Sequence, residues 1–441
     1  MQSTKLCISS SMTGSGKTVF TSALIKSLIN KGYSVSAGKI GPDYIDPTYT
    51  RYITNSAVFN YDTWAMTDEK IRYLIHASTQ KNDIHIIEGV MGLYDGTKNQ
   101  SSSTAEFVKK FKIPVLLILD SSGQSQTLAA ICKGIMNYDT EINFIGVILN
   151  NISSERHYNL IYEELEKSKV KVLGYLPKSD DLIFPRRHLG LFLAQHVENY
   201  QYLINCAAKL IEKYIDIEEI IKLSNTLDDD EGYAIRDSSK VSVDLGQRIS
   251  IAKDPSFSFI YDNTLRQWTK EGREIDFFSP LHDEGPSVNC TGVYLPGGYP
   301  ELNCEKLANC NNFMNTMRNV AEQKKFIYGE CGGYMVLGKS IIDKDNKEHA
   351  MLGLLNLVTS FNKRKLSLGY REATSKESNC LKGGTYMCHE YHYSSIIKES
   401  GQHLFECKDE NGTYGKYGLI NENVFGSFLH IIDNKQKIIG D

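Results

Sequence analysis

Cys331 stands in Phe326-Ile-Tyr-Gly-Glu-Cys-Gly-Gly-Tyr-Met-Val-Leu-Gly338, at the end of an apolar run and between Gly329-Glu330 and Gly332-Gly333. A cysteine placed for packing would sit among aliphatics. Small neighbours suit a sharp strand-to-helix turn that lifts one side chain out of a sheet and rings it with backbone N–H groups. Those groups, with the positive end of the following helix, favour the thiolate, the reactive form. A nucleophilic thiol wants a base. His389 and His392 lie in Cys388-His-Glu-Tyr-His-Tyr-Ser394, and His430 ends the apolar run from Val424. Spacing does not choose among the three. Upstream, Leu295-Pro-Gly-Gly-Tyr299 offers bare backbone of the kind an oxyanion hole needs, or a plain glycine turn.

A second chemistry sits near the N-terminus. Lys5–Ser9 reads as a buried strand running into Ser11-Met-Thr-Gly-Ser-Gly-Lys-Thr18, and a helical pattern follows from Phe20 to Asn30. This is a phosphate loop lacking only its first glycine. In such a loop the backbone around Gly14 and Gly16 cradles phosphates, Lys17 reaches the β/γ-phosphates, and the Thr18 hydroxyl ligates Mg2+. ATP is the expected co-substrate. The next strand ends in Lys39-Ile-Gly-Pro-Asp-Tyr-Ile-Asp-Pro47, and His85-Ile-Ile-Glu88 ends in a carboxylate ahead of Gly89-Val-Met-Gly-Leu-Tyr-Asp95. Ligands of open α/β sheets bind at strand C-termini. Glu88 and Asp95 are therefore expected to meet Thr18 and Asp43 around one metal–phosphate centre. Arg187 and His188, in Phe184-Pro-Arg-Arg-His-Leu-Gly190, could grip an anionic substrate or form a solvated loop. Asn150-Asn151, at the end of a later strand, could hold a base or make a turn.

The elements that must position these residues alternate. Strands at 114–120, 143–150 and 172–177 with intervening helices imply a parallel, doubly wound sheet. Helical residues from about 197 to 223 close that half. The acidic stretch Ser224-Asn-Thr-Leu-Asp-Asp-Asp-Glu-Gly232 reads as linker, and alternation resumes at 248–253. The expected organisation is an ATP-dependent domain over 1–223, a linker over 224–246 and a second α/β domain over 247–441. With 441 residues, more than one core is required. A net charge of -4 gives no nucleic-acid surface, and no apolar run approaches a membrane span. Ten cysteines without C-x-x-C pairs fit free thiols in a reducing, cytoplasmic setting.

Taken in order, Thr13–Thr18, Lys39–Pro47, Asn60-Tyr-Asp-Thr-Trp-Ala-Met66, Glu88–Gly96, Arg187–Leu191, Leu295–Glu301, Glu330-Cys-Gly-Gly-Tyr334 and His389–Ser394 resemble the cobyrinic and hydrogenobyrinic acid a,c-diamide synthase family. The resemblance spans nearly the whole chain. It implies an α/β fold: a P-loop, dethiobiotin-synthetase-like domain followed by a class I glutamine amidotransferase-like domain. It further implies that Cys331 attacks glutamine, that His430 raises its nucleophilicity and that backbone near Gly298 and Gly332 holds the oxyanion. Ammonia then passes internally to the first domain, where ATP and Mg2+ convert the a and c carboxylates of a tetrapyrrole-derived polycarboxylate to acyl phosphates. Asp43, Glu88 and Asp95 match catalytic positions there, with Thr18, Asp43 and Glu88 at the metal, Lys39 at ATP, and Tyr44, Asp46, Arg187 and His188 at the macrocycle. A homodimer is compatible with this picture; nucleic acid and membrane are not expected partners.

Three departures stand out. His430-Ile-Ile-Asp433 lacks the glutamate that full-triad amidotransferases carry two residues after the histidine, so no third member is expected. Cys388 replaces a common glycine, and Ser11 a phosphate-loop glycine. Competing readings keep the chemistry but change the acid, to nickel-sirohydrochlorin or other corrinoid carboxylates. A P-loop partitioning ATPase is the rival from another class, and it would have no use for Cys331 or His430.

Overall fold

In the computed structural model, the described residues are 3–98, 101–179, 184, 186–187, 190–191, 193–194, 197–225, 243–376, 380–381 and 383–435. The chain divides into two compact units, Met1–Ser238 and Ser239–Asp441. In the first, apolar strands alternate with helices: β1 (Thr4–Ser10), α1 (Lys17–Asn30), β2 (Val35–Ile40), α2 (Asp46–Thr54), β3 (Phe59–Tyr61), α3 (Asp68–Thr79) and β4 (Ile84–Glu88). There follow α4 (Thr104–Lys110), β5 (Val115–Asp120), α5 (Thr127–Tyr138), β6 (Phe144–Ile152), α6 (Glu155–Lys167) and β7 (Val172–Pro177). Two short strands, β8 (Arg186–Arg187) and β9 (Gly190–Leu191), pair with each other, and α7 (Tyr200–Tyr214) and α8 (Ile217–Ser224) follow.

The seven long strands form one parallel sheet in the order β3-β2-β4-β1-β5-β6-β7. Burial on both faces explains why β5 reads as an apolar run up to its last residue and why β1, β2 and β4 are buried along most or all of their length without alternation. The order reverses beside β1, so the loops after β1, β2 and β4 open at one edge. That edge carries Lys17, Lys39 and Glu88.

The second unit opens with β10 (Arg248–Ala252), α9 (Asp262–Lys270), β11 (Glu274–Phe278), β12 (Gly292–Leu295), α10 (Cys304–Ala308), α11 (Asn311–Glu322), β13 (Phe326–Glu330) and α12 (Gly332–Leu337). Beyond it the chain departs from the expected alternation and becomes a run of strands: β14 (Ser340–Ile342), β15 (Glu348–Ala350), β16 (Leu357–Ser360), β17 (Ser367–Ser375) and β18 (Gly384–His392). These are followed by β19 (Ser395–Glu399), β20 (Gln402–Asp409), β21 (Tyr414–Asn421), β22 (Val424–Ser427) and β23 (Leu429–Asn434). A ten-stranded sheet runs β11-β10-β12-β13-β22-β21-β20-β17-β18-β23, parallel from β11 to β22 and antiparallel from there to β23. Only Phe428 separates β22 from β23, although these strands lie five places apart in the sheet. The sheet therefore curls, and β23 returns beside the end of β13. No helix among the described residues is long and apolar enough to cross a membrane.

Close backbone approach fixes α12 on the sheet. A Cβ on Gly333 would stand 1.9 Å from the Leu295 carbonyl oxygen, and one on Gly329 would stand 2.9 Å from the Gly333 carbonyl carbon. Both obstacles are backbone and cannot rotate away. Gly333→Ala is expected to cost about 3 kcal/mol through overpacking. Chemical denaturation of the full-length chain checks this; an unchanged midpoint would refute the close-approach argument.

Candidate functional site

In the first unit, the phosphate loop is built as its sequence dictates. Gly14 and Gly16 adopt φ of 86° and 89°, and Gly16 precedes α1 directly. A Cβ on Gly16 would stand 2.4 Å from the Asn150 amide nitrogen. That amide, at the end of β6, donates to the Ser15 carbonyl at 2.8 Å, while Asn151 donates to Asp120 at 2.8 Å. Both amides proposed for a base thus tether loops in this structure. The buried Lys17 ammonium donates to Ser10 Oγ at 2.8 Å and to the Met91 carbonyl. Burial first, then the nearby Lys39 charge, lowers its pKa to about 8.

Around Lys17 the acidic residues converge on Lys39. Its ammonium donates to Asp46 at 2.6 Å, to Glu88 at 3.2 Å and to the Gly89 carbonyl at 3.1 Å, with Asp43 at 3.8 Å. Three donors meet three acceptors, so Lys39, expected at ATP, here organises the carboxylates. Burial opposes its charge, but Asp46, Glu88 and Asp43 outweigh it and hold the pKa above the ordinary lysine value. Loss of water, with Asp46 alongside, pushes the half-buried Asp43 up. Asp46 goes the other way: burial opposes ionisation, but Lys39 and hydrogen bonds from Asp43 and Lys39 prevail. Burial raises Glu88 to about 7 despite Lys39.

Thr18 Oγ1 donates to Glu88 Oε1 at 2.8 Å, while the buried Glu88 Oε2 has no hydrogen-bond partner. A hydroxyl beside an unpartnered carboxylate oxygen is a hard-oxygen donor set of the kind Mg2+ takes together with phosphate oxygens. Among the described residues no group of three or more His, Cys, Asp or Glu side chains forms a cage for a metal. Asp95 is exposed and accepts from the Gly92 N–H at 2.9 Å; a Cβ on Gly92 would stand 2.6 Å from Asp95 Oδ2 and 2.8 Å from the Ser11 carbonyl oxygen, so the loop after β4 passes against the start of the phosphate loop. Tyr44 is half-buried in the loop after β2. Asn60, not singled out from sequence, pins that loop through 2.8 Å bonds to the Gly41 and Asp43 carbonyls. The backbone of Arg187 pairs with Gly190; its side chain and His188 lie outside the described residues.

In the second unit, Cys331 occupies the turn between β13 and α12 with φ 47° and ψ −103°, a strained conformation for a residue with a Cβ. Its N–H donates to the Ser427 carbonyl at 2.8 Å, and its buried sulfur lies 3.8 Å from the Tyr391 carbonyl oxygen. His430, returned by the curl of the sheet, lies beside the Cys331 side chain. Its Nδ1 lies 3.5 Å from Glu330 Oε2. Burial opposes the imidazolium, but Cys331 and Glu330 together raise its pKa to about 10.

The other histidines are placed elsewhere. His389 stands opposite His430 in the β18–β23 pairing, and burial, His430 and Arg371 push it down to about 3, so it is neutral. His392 stacks on Phe428 at 3.9 Å and bonds Glu390 at 3.0 Å. The Pro296-Gly-Gly298 loop runs alongside the thiol. A Cβ on Gly297 would stand 2.7 Å from His430 Cε1 and 3.3 Å from Cys331 Cβ, and one on Gly332 would stand 3.0 Å from the Gly298 nitrogen. Gly332 begins α12, where N–H groups have no intrahelical acceptor. The Pro-Gly-Gly backbone and the start of α12 therefore lie close together beside Cys331.

Each unit matches a known domain family. Residues 6–191 match the CobQ/CobB/MinD/ParA nucleotide-binding domain, and residues 248–437 match the CobB/CobQ-like glutamine amidotransferase domain. A hydrogenobyrinate a,c-diamide synthase of Agrobacterium fabrum is 39% identical over 439 residues, 98% of this chain and 99% of that protein. One of Rhizobium meliloti is 37% identical over 430 residues, 97% of this chain and 99% of that protein.

The raised Asp43 carboxyl has a stability consequence. Its folded-state pKa lies above the unfolded value, so the native state holds a proton that the unfolded chain has released. The resulting stabilisation is complete below the usual carboxylate range and is lost as pH rises through the folded value. Between pH ~5.5 and ~7.5 the ligand-free wild type should lose more thermal stability than Asp43→Asn. Equal slopes in thermal melts would refute the assignment.

Proposed function

The chain belongs to the hydrogenobyrinate a,c-diamide synthase family, and we propose that it amidates the a and c side-chain carboxylates of hydrogenobyrinic acid or of its cobalt-bearing counterpart, cobyrinic acid. It is a glutamine-dependent, amide-forming ligase with a nucleotide-binding domain that uses ATP. One observation carries the proposal: a single chain holds both a buried thiol–imidazole pair beside a close-packed glycine backbone and a phosphate loop beside a buried carboxylate cluster.

The chemistry requires both. A carboxylate is a poor acylating agent because its leaving group would be oxide. Its oxygen therefore attacks the γ-phosphorus of ATP, ADP departs, and an acyl phosphate results. The charge that develops needs positioning and neutralisation, which Lys17 and the loop N–H groups supply. Thr18 Oγ1 and Glu88 would hold Mg2+, which would supply charge neutralisation at the phosphates. Ammonia then attacks the acyl carbon and phosphate leaves.

Ammonia in water at neutral pH is mostly ammonium, which has no lone pair to attack. Cys331 provides the unprotonated form: its thiolate adds to the side-chain carbonyl of glutamine, Gly298 and Gly332 N–H groups take the oxyanion, and the His430 imidazolium gives its proton to the departing nitrogen. Water then cleaves the thioester to release glutamate. Tyr44, Asp46, Arg187 and His188 are proposed for the macrocycle, and internal transfer of ammonia joins the two reactions.

Cys331→Ala is expected to abolish glutamine-dependent amidation, by at least ~1,000-fold, while ammonium salts at raised pH still support product formation. Lys17→Ala is expected to remove amidation from either nitrogen source. Product masses after incubation with ATP, glutamine and a panel of macrocycles decide the substrate. Two amidations of hydrogenobyrinic or cobyrinic acid support the proposal, and products formed only on another macrocycle overturn it.

A further inference from the structure

Glu330 precedes the nucleophile, and its surroundings are hard to explain by packing. It ends β13 on the face carrying Tyr294, Tyr328, Phe425 and Ile431, an apolar cluster in which a carboxylate is out of place. Only about 4% of it is exposed. Oε2 accepts from the Tyr294 hydroxyl at 2.8 Å, and Oε1 accepts from the Tyr328 hydroxyl at 3.2 Å and the Ile431 N–H at 3.4 Å. The two tyrosines face each other across the β12–β13 pairing, with ring centroids 5.9 Å apart and planes 10° from parallel. Both stay protonated, because burial and then Glu330 itself push their pKa values well up. They remain donors.

Donors alone leave a buried anion without a countercharge, which is costly. Among the described residues Glu330 has no lysine or arginine partner; its ion-pair partner is His430, with Nδ1 3.5 Å from Oε2. A separation longer than a short hydrogen bond is common in resting sites whose bonds tighten with substrate.

We propose that Glu330 is the third member of the thiol site, a positioning residue that orients the His430 ring through Nδ1 and holds its positive charge. The inference rests on the reading of Cys331 as the nucleophile toward glutamine. It replaces the expected Cys-His pair with a triad whose acid comes from the residue before the cysteine rather than from a position after the histidine. With Nδ1–H directed at Glu330, Nε2 is left for the proton of the Cys331 thiol. It receives that proton as the thiolate forms and returns it to the nitrogen that leaves when the glutamine C–N bond breaks. It then takes a proton from the water that cleaves the thioester. The strained turn at Cys331 permits this: successive strand residues point to opposite faces, but the left-handed φ at 331 lets adjacent side chains reach two sides of one imidazole.

Other titratable groups around the pair do not supply the charge. Tyr294 from β12, Tyr328 and Cys331 from Glu330's own stretch, Cys388 and His389 from β18, and Tyr261 all lie within electrostatic reach. His389 is neutral, Cys388 is pushed well up by burial, and Arg371 is paired with Glu390 at 2.8 Å.

Glu330→Gln keeps the shape and removes the charge. It should lower kcat for glutamine-dependent amidation ~100-fold, leave KM for glutamine within ~3-fold, and leave amidation from ammonium unchanged. Losing the anion lowers the imidazolium pKa, so the alkaline limb of the pH profile of glutamine hydrolysis should move at least ~1 unit toward acid. A merely structural role would not move that limb. Wild-type kcat with an unmoved limb overturns the proposal. If the Gln variant does not fold, Glu330→Asp decides: the charge is kept but withdrawn, so kcat should fall ~10-fold while the limb stays in place. A wild-type kcat in that variant also overturns the proposal. Cys331→Ala in parallel separates the two readings: if it retains glutamine-dependent activity the nucleophile assignment fails, and if only the Glu330 variants retain it this inference alone fails.

Discussion

An ionised carboxylate taken out of water must be met by a cation or by hydrogen-bond donors, and each unit of this chain is arranged around that constraint. In the first, Asp46, Glu88 and, more distantly, Asp43 surround the single ammonium of Lys39. One cation cannot compensate three anions in a dry pocket, so the cluster responds by holding a proton. Asp46, at 2.6 Å from Lys39, stays ionised, while Asp43 and Glu88 are pushed upward. In the second, Glu330 is met by two tyrosine hydroxyls and by an imidazole that becomes its cation. These residues are therefore sensitive to any change of charge nearby, as sites that bind or form ions need to be.

Backbone brought close enough to serve as a reagent is the second requirement, and glycine is how the sequence meets it. Gly16 lets the phosphate loop pass the Asn150 amide, and Gly297 lets the Pro-Gly-Gly loop pass the His430 ring. Gly329 and Gly333 let α12 settle directly on β12 and β13, which aims the start of α12 at the Cys331 sulfur. A side chain at any of these positions would separate the donor groups from the reacting atoms by the width of a methyl group or more.

How much of this was legible in the sequence depended on how local each feature is. The phosphate loop, the carboxylates at the ends of β2 and β4, and the Cys331 turn are each written in fewer than a dozen consecutive residues, and the structure carries them as expected. The choice among His389, His392 and His430 was not local. It depends on a curl that brings β23 from the far edge of a ten-stranded sheet back to β13, through antiparallel strands that the alternating α/β expectation passed over. Glu330 lies inside the motif but shows no role in the sequence, because a residue adjacent to the nucleophile on a strand normally faces away from it. Asn60 and Asn150 both stand in stretches the sequence marks, but nothing there shows that they tether distant loops, since an asparagine that does so looks like any other asparagine.

The two sites treat their cations differently, and the difference matches what each must do. Lys17 is buried with its hydrogen bonds on neutral oxygens, Ser10 Oγ and the Met91 carbonyl, and with Lys39 close enough to lower its pKa further. Its charge is undercompensated until an anion arrives, so the phosphate loop is prepared for a ligand that brings negative charge. His430 has its partners built in: Cys331 on one side and Glu330 on the other raise its pKa by more than burial lowers it. A site that must take up ATP keeps a cation waiting, whereas a site that must act on neutral glutamine carries the partners of its own imidazole. The sequence records this in the partners of one lysine and one histidine, and in neither case does a neighbour in sequence alone reveal it.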